Sequence, residues 1–332
     1  MFRLLATVLL IAKLATATTA LKFEFRGEIV PHRVASISLH AVATPFAVAT
    51  LAGPDGRFHF KDLQAGTYTL SVSTQLGSEV RKTVEIGPAT ADRKRKVTAA
   101  ISMDTEAPHQ DRAGTVSARA LQIPDSAQRE YEQALRSVSK RDFDGAVSCL
   151  QRAVAIAPGF SAAWNQLGTM AYQSQQYQQA ENYFRQGLKA DPDAFEPLVN
   201  LGGVLLNSAS LNLANLQEAL RYNSEAVKRR PQDALAQSQL GMSYALSNQL
   251  DSAQKHLLLA IRLDPNHFSR PQLVLSDVYV RKHDLQHAAD QLEDFLRGHQ
   301  DWPAGPKMKE LVAEWRKLNE PTSNARSAEQ RR

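Results

Sequence analysis

His283 and His287 stand four residues apart, a spacing that puts two imidazoles on one helix face and in metalloproteases holds zinc. No Glu completes that pattern here, and His283 falls in a predicted interhelical turn, so the pair predicts no metal site. Cys149 is the only cysteine in 332 residues, which rules out an internal disulfide and any multi-cysteine zinc site. It lies in a predicted helix and reads as a packing thiol. Arg93-Lys94-Arg95-Lys96 is the one dense cationic run. It could meet a phosphate-bearing surface or an acidic partner; the simpler reading is a solvated strand end, where charge blocks edge pairing. No aromatic residues interleave with it as a nucleic-acid stacking site would need. The sequence carries no glycine-rich phosphate loop and no nucleophile elbow. The expectation is a non-catalytic chain with no cofactor, no metal and no nucleic-acid partner.

A second kind of chemistry, hydrogen bonding to a polypeptide, depends on side chains that recur with a period. Pro158 and Pro192 are 34 residues apart, and so are Pro231 and Pro265. Residues 153–191 read as helix, turn, helix. A fixed period of this size marks stacked helical repeats, in which small residues sit where helices cross and large ones fill the gaps beside them. The second unit has Trp164, Leu167, Gly168, Tyr177, Ala180, Phe184 and Pro192; the fourth has Leu240, Gly241, Tyr244, Leu250, Ala253, Leu257, Ala260 and Pro265. On these residues the stretch 127–318 resembles a tetratricopeptide repeat array.

About five repeats are expected within residues 126–303. The first keeps Phe143, Ala146, Leu150, Ala153 and Pro158, but its leading helix is polar at Glu130 and Gln133, as suits an end-capping repeat. Asp125 or Ser126 is the expected N-cap of that helix. The third repeat has 39 residues between prolines, and the five extra ones are placed in a lengthened turn at 207–215. In the fifth, Phe295 replaces an alanine. A closing helix at 304–319 carries Leu311, Trp315 and Leu318 on one stripe, and residues 320–332, without periodicity, read as a disordered tail.

The resemblance implies a concave face, lined by the first helix of each repeat, that takes an extended or helical peptide. Counting along the repeats puts Asn165, Thr169, Tyr172, Gln173, Val199, Asn200, Leu206, Ser238, Met242, Asp277 and Arg281 forward as groove candidates. Repeats that clamp a terminal carboxylate use lysines at set groove positions. Those are missing here, so that specificity is not expected.

Residues 21–103 change period. Phe23, Phe25 and Ile29 alternate with polar residues, as do Ile37 and Leu39, Phe58 and Phe60, Tyr68, Leu70 and Val72, and Val97, Ala99 and Ile101. This is the half-buried antiparallel pattern. Turn signals separate the runs at residues 53–56, 64–66 and 87–88, so about seven strands should form a sandwich. The run from Gly56 through Phe58, Phe60, Leu63, Gly66, Tyr68, Leu70 and Val72 resembles that of carboxypeptidase-regulatory-like domains, which implies a transthyretin-like seven-stranded sandwich. Such modules are scaffolds or adhesion domains. The competing reading, carbohydrate binding by the sandwich, would need exposed rings, and this segment has no Trp.

The first three residues and the apolar run at 4–12, followed by small residues to position 20, read as a secretory signal. The run is far too short to span a bilayer, so no transmembrane anchor is expected. Removal of Arg3 and Lys13 would leave a net charge of +3 from +5. Residues 104–125, with Pro108, Gly114 and Pro124, read as a linker. The whole is expected to be a multidomain chain, an all-β sandwich followed by an all-α solenoid. It would be exported to the periplasm or exterior of a bacterial envelope and would bind a protein or peptide partner.

Overall fold

A computed structural model describes residues 21–74, 79–103, 122–209, 212–299 and 302–318. The expected signal segment, most of the expected linker and the expected tail lie outside the described residues. The chain divides into two compact units, one spanning Leu21–Ser269 and the other including the helices from Arg270 onward.

Seven strands come first: β1 (Phe23–Val30), β2 (Ala35–Ala41), β3 (Ala47–Ala52), β4 (Arg57–Leu63), β5 (Gly66–Thr74), β6 (Glu79–Ile86) and β7 (Lys96–Ser102). They form a three-stranded sheet in the order β4-β1-β7 and a four-stranded sheet in the order β3-β2-β5-β6. The pairing is antiparallel except between β1 and β7. The period-two pattern decides which faces meet. Phe25, Ile29, Phe60 and Leu63 of the first sheet and Ile37, Leu39, Leu70 and Val72 of the second are buried in one core. The members of that core all come from the sandwich. The basic run forms the turn into β7, where Asp92 Oδ1 accepts from the Lys94 and Lys96 N–H groups.

Eleven helices follow among the described residues. In the first unit they are α1 (Asp125–Ser139), α2 (Phe143–Ile156), α3 (Ser161–Gln173), α4 (Tyr177–Ala190), α5 (Phe195–Ala209), α6 (Leu213–Arg229), α7 (Ala234–Leu246) and α8 (Leu250–Leu263). The second unit holds α9 (Pro271–Arg281), α10 (Leu285–Gly298) and α11 (Gly305–Leu318). None is long and apolar enough to cross a membrane.

The paired helices turn in one way. Arg141, Gln175, Asn248 and His283 all have φ near +60°, and the next residue donates its N–H five residues back. That is the left-handed ending that satisfies carbonyls at a helix C-terminus. Each pair then closes on a small residue. A Cβ on Gly168 would lie 2.5 Å from the Phe184 ring, and one on Gly241 would lie 2.7 Å from Leu257. Ala146, Ala180, Ala219 and Ala253 are fully buried at the same crossings.

Three local expectations are corrected. The N-cap of α1 is Pro124, with Asp125 already helical and no side-chain cap bond. The third repeat spreads its insertion into its helices: α5 has 15 residues and α6 has 17, against 13 and 14 in α3 and α4. Nothing in the inserted residues breaks a helix, and Asn212 Oδ1 caps α6 by accepting from the Ala214 N–H. On α11 the buried stripe is Met308, Val312 and Trp315, while Leu318 is exposed.

The close crossing generates a test. In an open helix Gly→Ala would stabilise by about 1 kcal/mol. At Gly168 the added methyl collides with a buried ring, and overpacking costs about 1–3 kcal/mol. Gly168→Ala should therefore lower the urea-unfolding free energy; a gain would show that the crossing has room to spare.

Candidate peptide groove and the sheet that covers it

The first helices of the repeats, α3, α5 and α7, present polar side chains to a cavity of about 360 Å³. Of the groove candidates, Asn165, Thr169, Tyr172, Gln173 and Asn200 line it. Asn200 Nδ2 donates to Asn165 Oδ1 at 2.9 Å, joining two repeats across the floor. Asn207 Nδ2 lies 3.5 Å from the Tyr172 hydroxyl.

Other candidates sit elsewhere. Val199 is buried with Phe195, Leu198, Ala226 and Ala236 in the packing between repeats. Ser238 is fully buried, and its Oγ lies 2.6 Å from Ser269 Oγ. Leu206 packs beside the cluster of Ala171, Leu201 and Leu205. Met242 is half-buried on α7. Asp277 and Arg281 belong to the second unit, where they pair along α9 at 3.6 Å. Gln166 and Gln239 line the cavity although the count along the repeats did not select them. They share with Asn200 the place one residue beyond Asn165 in its repeat. A recurring polar residue at that place was the available signal.

The other wall of the cavity is the sandwich. His40, Thr69, Ser71 and Arg81, on the face of the β3-β2-β5-β6 sheet turned away from its core, lie over the groove. Gln173 Nε2 donates to the carbonyls of Ala41 and Val42 at 3.1 and 3.3 Å, which fixes the orientation of its amide. The turn between α1 and α2 adds a second attachment. Arg141 donates to Gln64 Oε1 at 2.7 Å and stacks over Phe46 at 4.5 Å.

The edge strand β6 makes the charged contacts. Arg81 Nη2 donates to Glu196 Oε1 at 3.1 Å, and its Nη1 lies 3.8 Å from Asp233 Oδ2. Lys82 Nζ donates to the Leu263 carbonyl. The Thr83 N–H donates to Asp264 Oδ2 at 2.9 Å, so a carboxylate covers an edge donor of the sheet. Glu196 feels opposing influences: burial pushes its carboxyl up, but the Arg230 and Arg81 guanidiniums outweigh this and hold it below the usual range. Asp264 goes the other way, because burial raises it more than the Thr83 hydrogen bonds lower it. Asp233 also caps α7, accepting from the Ala236 N–H at 2.9 Å.

His267 ends the series. Its ring is buried, and Nδ1 accepts from the Ser269 N–H at 3.2 Å with Ser269 Oγ at 2.7 Å. Burial pushes its imidazole down to about 3. Glu196, Asp233, Asp264 and His267 therefore each have partners within the chain. Among the described residues no group of three or more His, Cys, Asp or Glu is placed to hold a metal ion. Cys149 is buried on α2, where Arg152 Nη2 donates to its sulfur at 3.1 Å. His283 lies in a turn, and His287 pairs with Asp284 at 2.7 Å.

Two stretches match models of a known family. Residues 137–201 and residues 234–267 each match a model described as tetratricopeptide repeat, so the chain carries tetratricopeptide repeats. No curated protein matches the sequence. Among solved structures, a MamA fragment from Desulfovibrio magneticus RS-1 is 24% identical, with a TM-score of 0.46 over 54% of this chain and 97% of that one. YrrB, described as a TPR protein with an unusual peptide-binding site, is 21% identical, with a TM-score of 0.46 over 60% and 98%. TTC0263, described as a thermophilic TPR protein in Thermus thermophilus, is 17% identical, with a TM-score of 0.44 over 57% and 98%.

The buried imidazole sets a pH response. Its native value lies below the unfolded one, so its contribution is complete above about pH 6.5 and is lost as the pH falls toward 3. At pH 5 that loss is about 2 kcal/mol. The raised carboxyl of Asp264 works in the opposite sense and is common to wild type and variant. Relative to His267→Gln, the wild type should lose about 2 kcal/mol of unfolding free energy between pH 7.5 and 5. Parallel curves in urea titrations at the two pH values would show that His267 is not buried neutral.

Proposed function

We propose that the chain is an exported, non-catalytic scaffold whose repeats bind a protein or peptide partner on their concave face. The observation that carries this reading is the lining of the cavity. Asn165, Thr169, Tyr172, Gln173 and Asn200 bring amides and hydroxyls together on adjacent first helices, beside a space large enough for a few peptide residues. Uncharged amides on rigid helices suit a peptide main chain, which offers donors and acceptors in alternation. A non-catalytic role accords with the internal pairing of Glu196, Asp264 and His267. The likeness of residues 56–72 to carboxypeptidase-regulatory-like domains supports reading the sandwich as a scaffold module. The apolar run at 4–12 supports export to a bacterial envelope.

Panning a displayed peptide library against the full chain tests the groove. Peptides that bind the wild type should bind Asn200→Ala and Tyr172→Ala at least about tenfold more weakly, a loss of about 1.4 kcal/mol. Both variants should stay folded, with a wild-type circular dichroism spectrum and a cooperative melt. Undiminished binding to both would remove the groove from the account.

A further inference from the structure

The groove of the repeats already holds an extended strand, and that strand belongs to the same chain. Three carboxylates follow one another along it: Glu196 in the first turn of α5, Asp233 at the start of α7 and Asp264 at the end of α8. Strand β6 meets all three, with the Arg81 guanidinium on the first two and the Thr83 main-chain N–H on the third. These are the contacts that an extended peptide with a basic side chain would make: a cation on the acids, and an edge N–H two residues further along.

The seam has the character of a separable contact. The buried cluster of the sandwich is made of sandwich residues alone, and the helical part reaches it through Arg141, which lies over Phe46. Across the groove β6 and the sheet meet the helices through hydrogen bonds and ion pairs around the cavity. Two side-chain oxygens of cavity-lining residues, Gln173 Oε1 and Gln239 Oε1, are buried with no hydrogen-bond partner among the described residues. The Gln173 oxygen is fixed in that state because its amide nitrogen is held by two carbonyls. Both oxygens can accept from water or from a ligand donor in the cavity they line.

We infer that β6 is a displaceable internal ligand of the repeats, and that the partner admitted when the sandwich lifts is an extended segment that offers a basic side chain to Glu196 and Asp233 and a main-chain N–H to Asp264. This rests on the peptide-groove reading above and specifies the partner's chemistry. A ligand that favours the open state must do so by its differential affinity, so weakening the internal contact should raise apparent affinity by removing the competitor.

The probe is a fluorescent peptide with the sequence of residues 79–86, EVRKTVEI, and a control with Glu in place of its arginine. Binding is followed by anisotropy on the full chain. Arg81→Glu should bind the probe at least about tenfold more tightly than the wild type and should not bind the control. Adding Glu196→Lys to Arg81→Glu should abolish the gain. Hydrogen exchange should show the Thr83 amide deprotected in Arg81→Glu while Leu39 and Leu70 stay protected. If that variant loses the sandwich core, Arg81→Ser is read in the same way. Equal affinity of wild type and opened variant for the probe overturns the proposal, and so does a gain that survives Glu196→Lys. Library peptides that bind wild type and Arg81→Glu alike, yet lose affinity with Asn200→Ala, would leave the scaffold reading standing and remove only the internal ligand.

Discussion

Everything in the helical part depends on how closely two antiparallel helices can approach. At Gly168 and Gly241 the backbone comes near enough that the facing Phe184 ring and Leu257 side chain occupy the volume of a missing Cβ. The fully buried alanines at 146, 180, 219 and 253 serve the same approach from the partner helix. A helix hairpin of this length buries too little apolar surface to stand alone, so stability comes from stacking one hairpin on the next. At Gly202 the same place faces Asn223, a fully buried amide that donates to Ser243 Oγ at 2.9 Å. There the crossing exchanges an apolar filling for a hydrogen bond that reaches the next repeat.

Stacking fixes what the first helices can offer. Once the crossing residues and the inter-repeat cores are buried, the remaining faces of α3, α5 and α7 turn polar groups toward the cavity. Burial and neighbouring charge then sort the ionisable groups. Glu196 stays ionised because two guanidiniums outweigh its burial, Asp264 is pushed toward its neutral form, and His267 is held neutral. Each is engaged by a donor or acceptor from within the chain. The acids along the cavity hold a cation and an edge N–H of the sheet.

Much of this was legible in the residues. The 34-residue spacing of prolines, the Gly168–Phe184 and Gly241–Leu257 pairs and the alternation along β1, β2 and β5 led to the right elements in the right order. The five extra residues of the third repeat were visible as an insertion, but not their absorption into α5 and α6, since helix ends depend on caps and tertiary support. Groove positions were half legible. Asn165, Thr169, Tyr172, Gln173 and Asn200 reach the cavity, whereas Val199 and Ser238 turn into the stack. One residue of helix rotation separates the two outcomes, about 100° around the axis, and the period alone does not resolve it.

The two periods, and with them a β region followed by helical hairpins, are written in the order of the residues. Side-chain direction along a strand or a helix is a local property, set by the backbone geometry of a few residues. Only the tertiary structure decided what the groove faces. Arg81 and Glu196 are 115 residues apart, Thr83 and Asp264 are 181 apart, and the contacts between them are polar. Polar contacts leave no periodic trace, because an arginine that meets water and an arginine that meets a carboxylate in another element are the same letter. The docking of the sheet on the groove follows from polar side chains that meet only once both elements are folded.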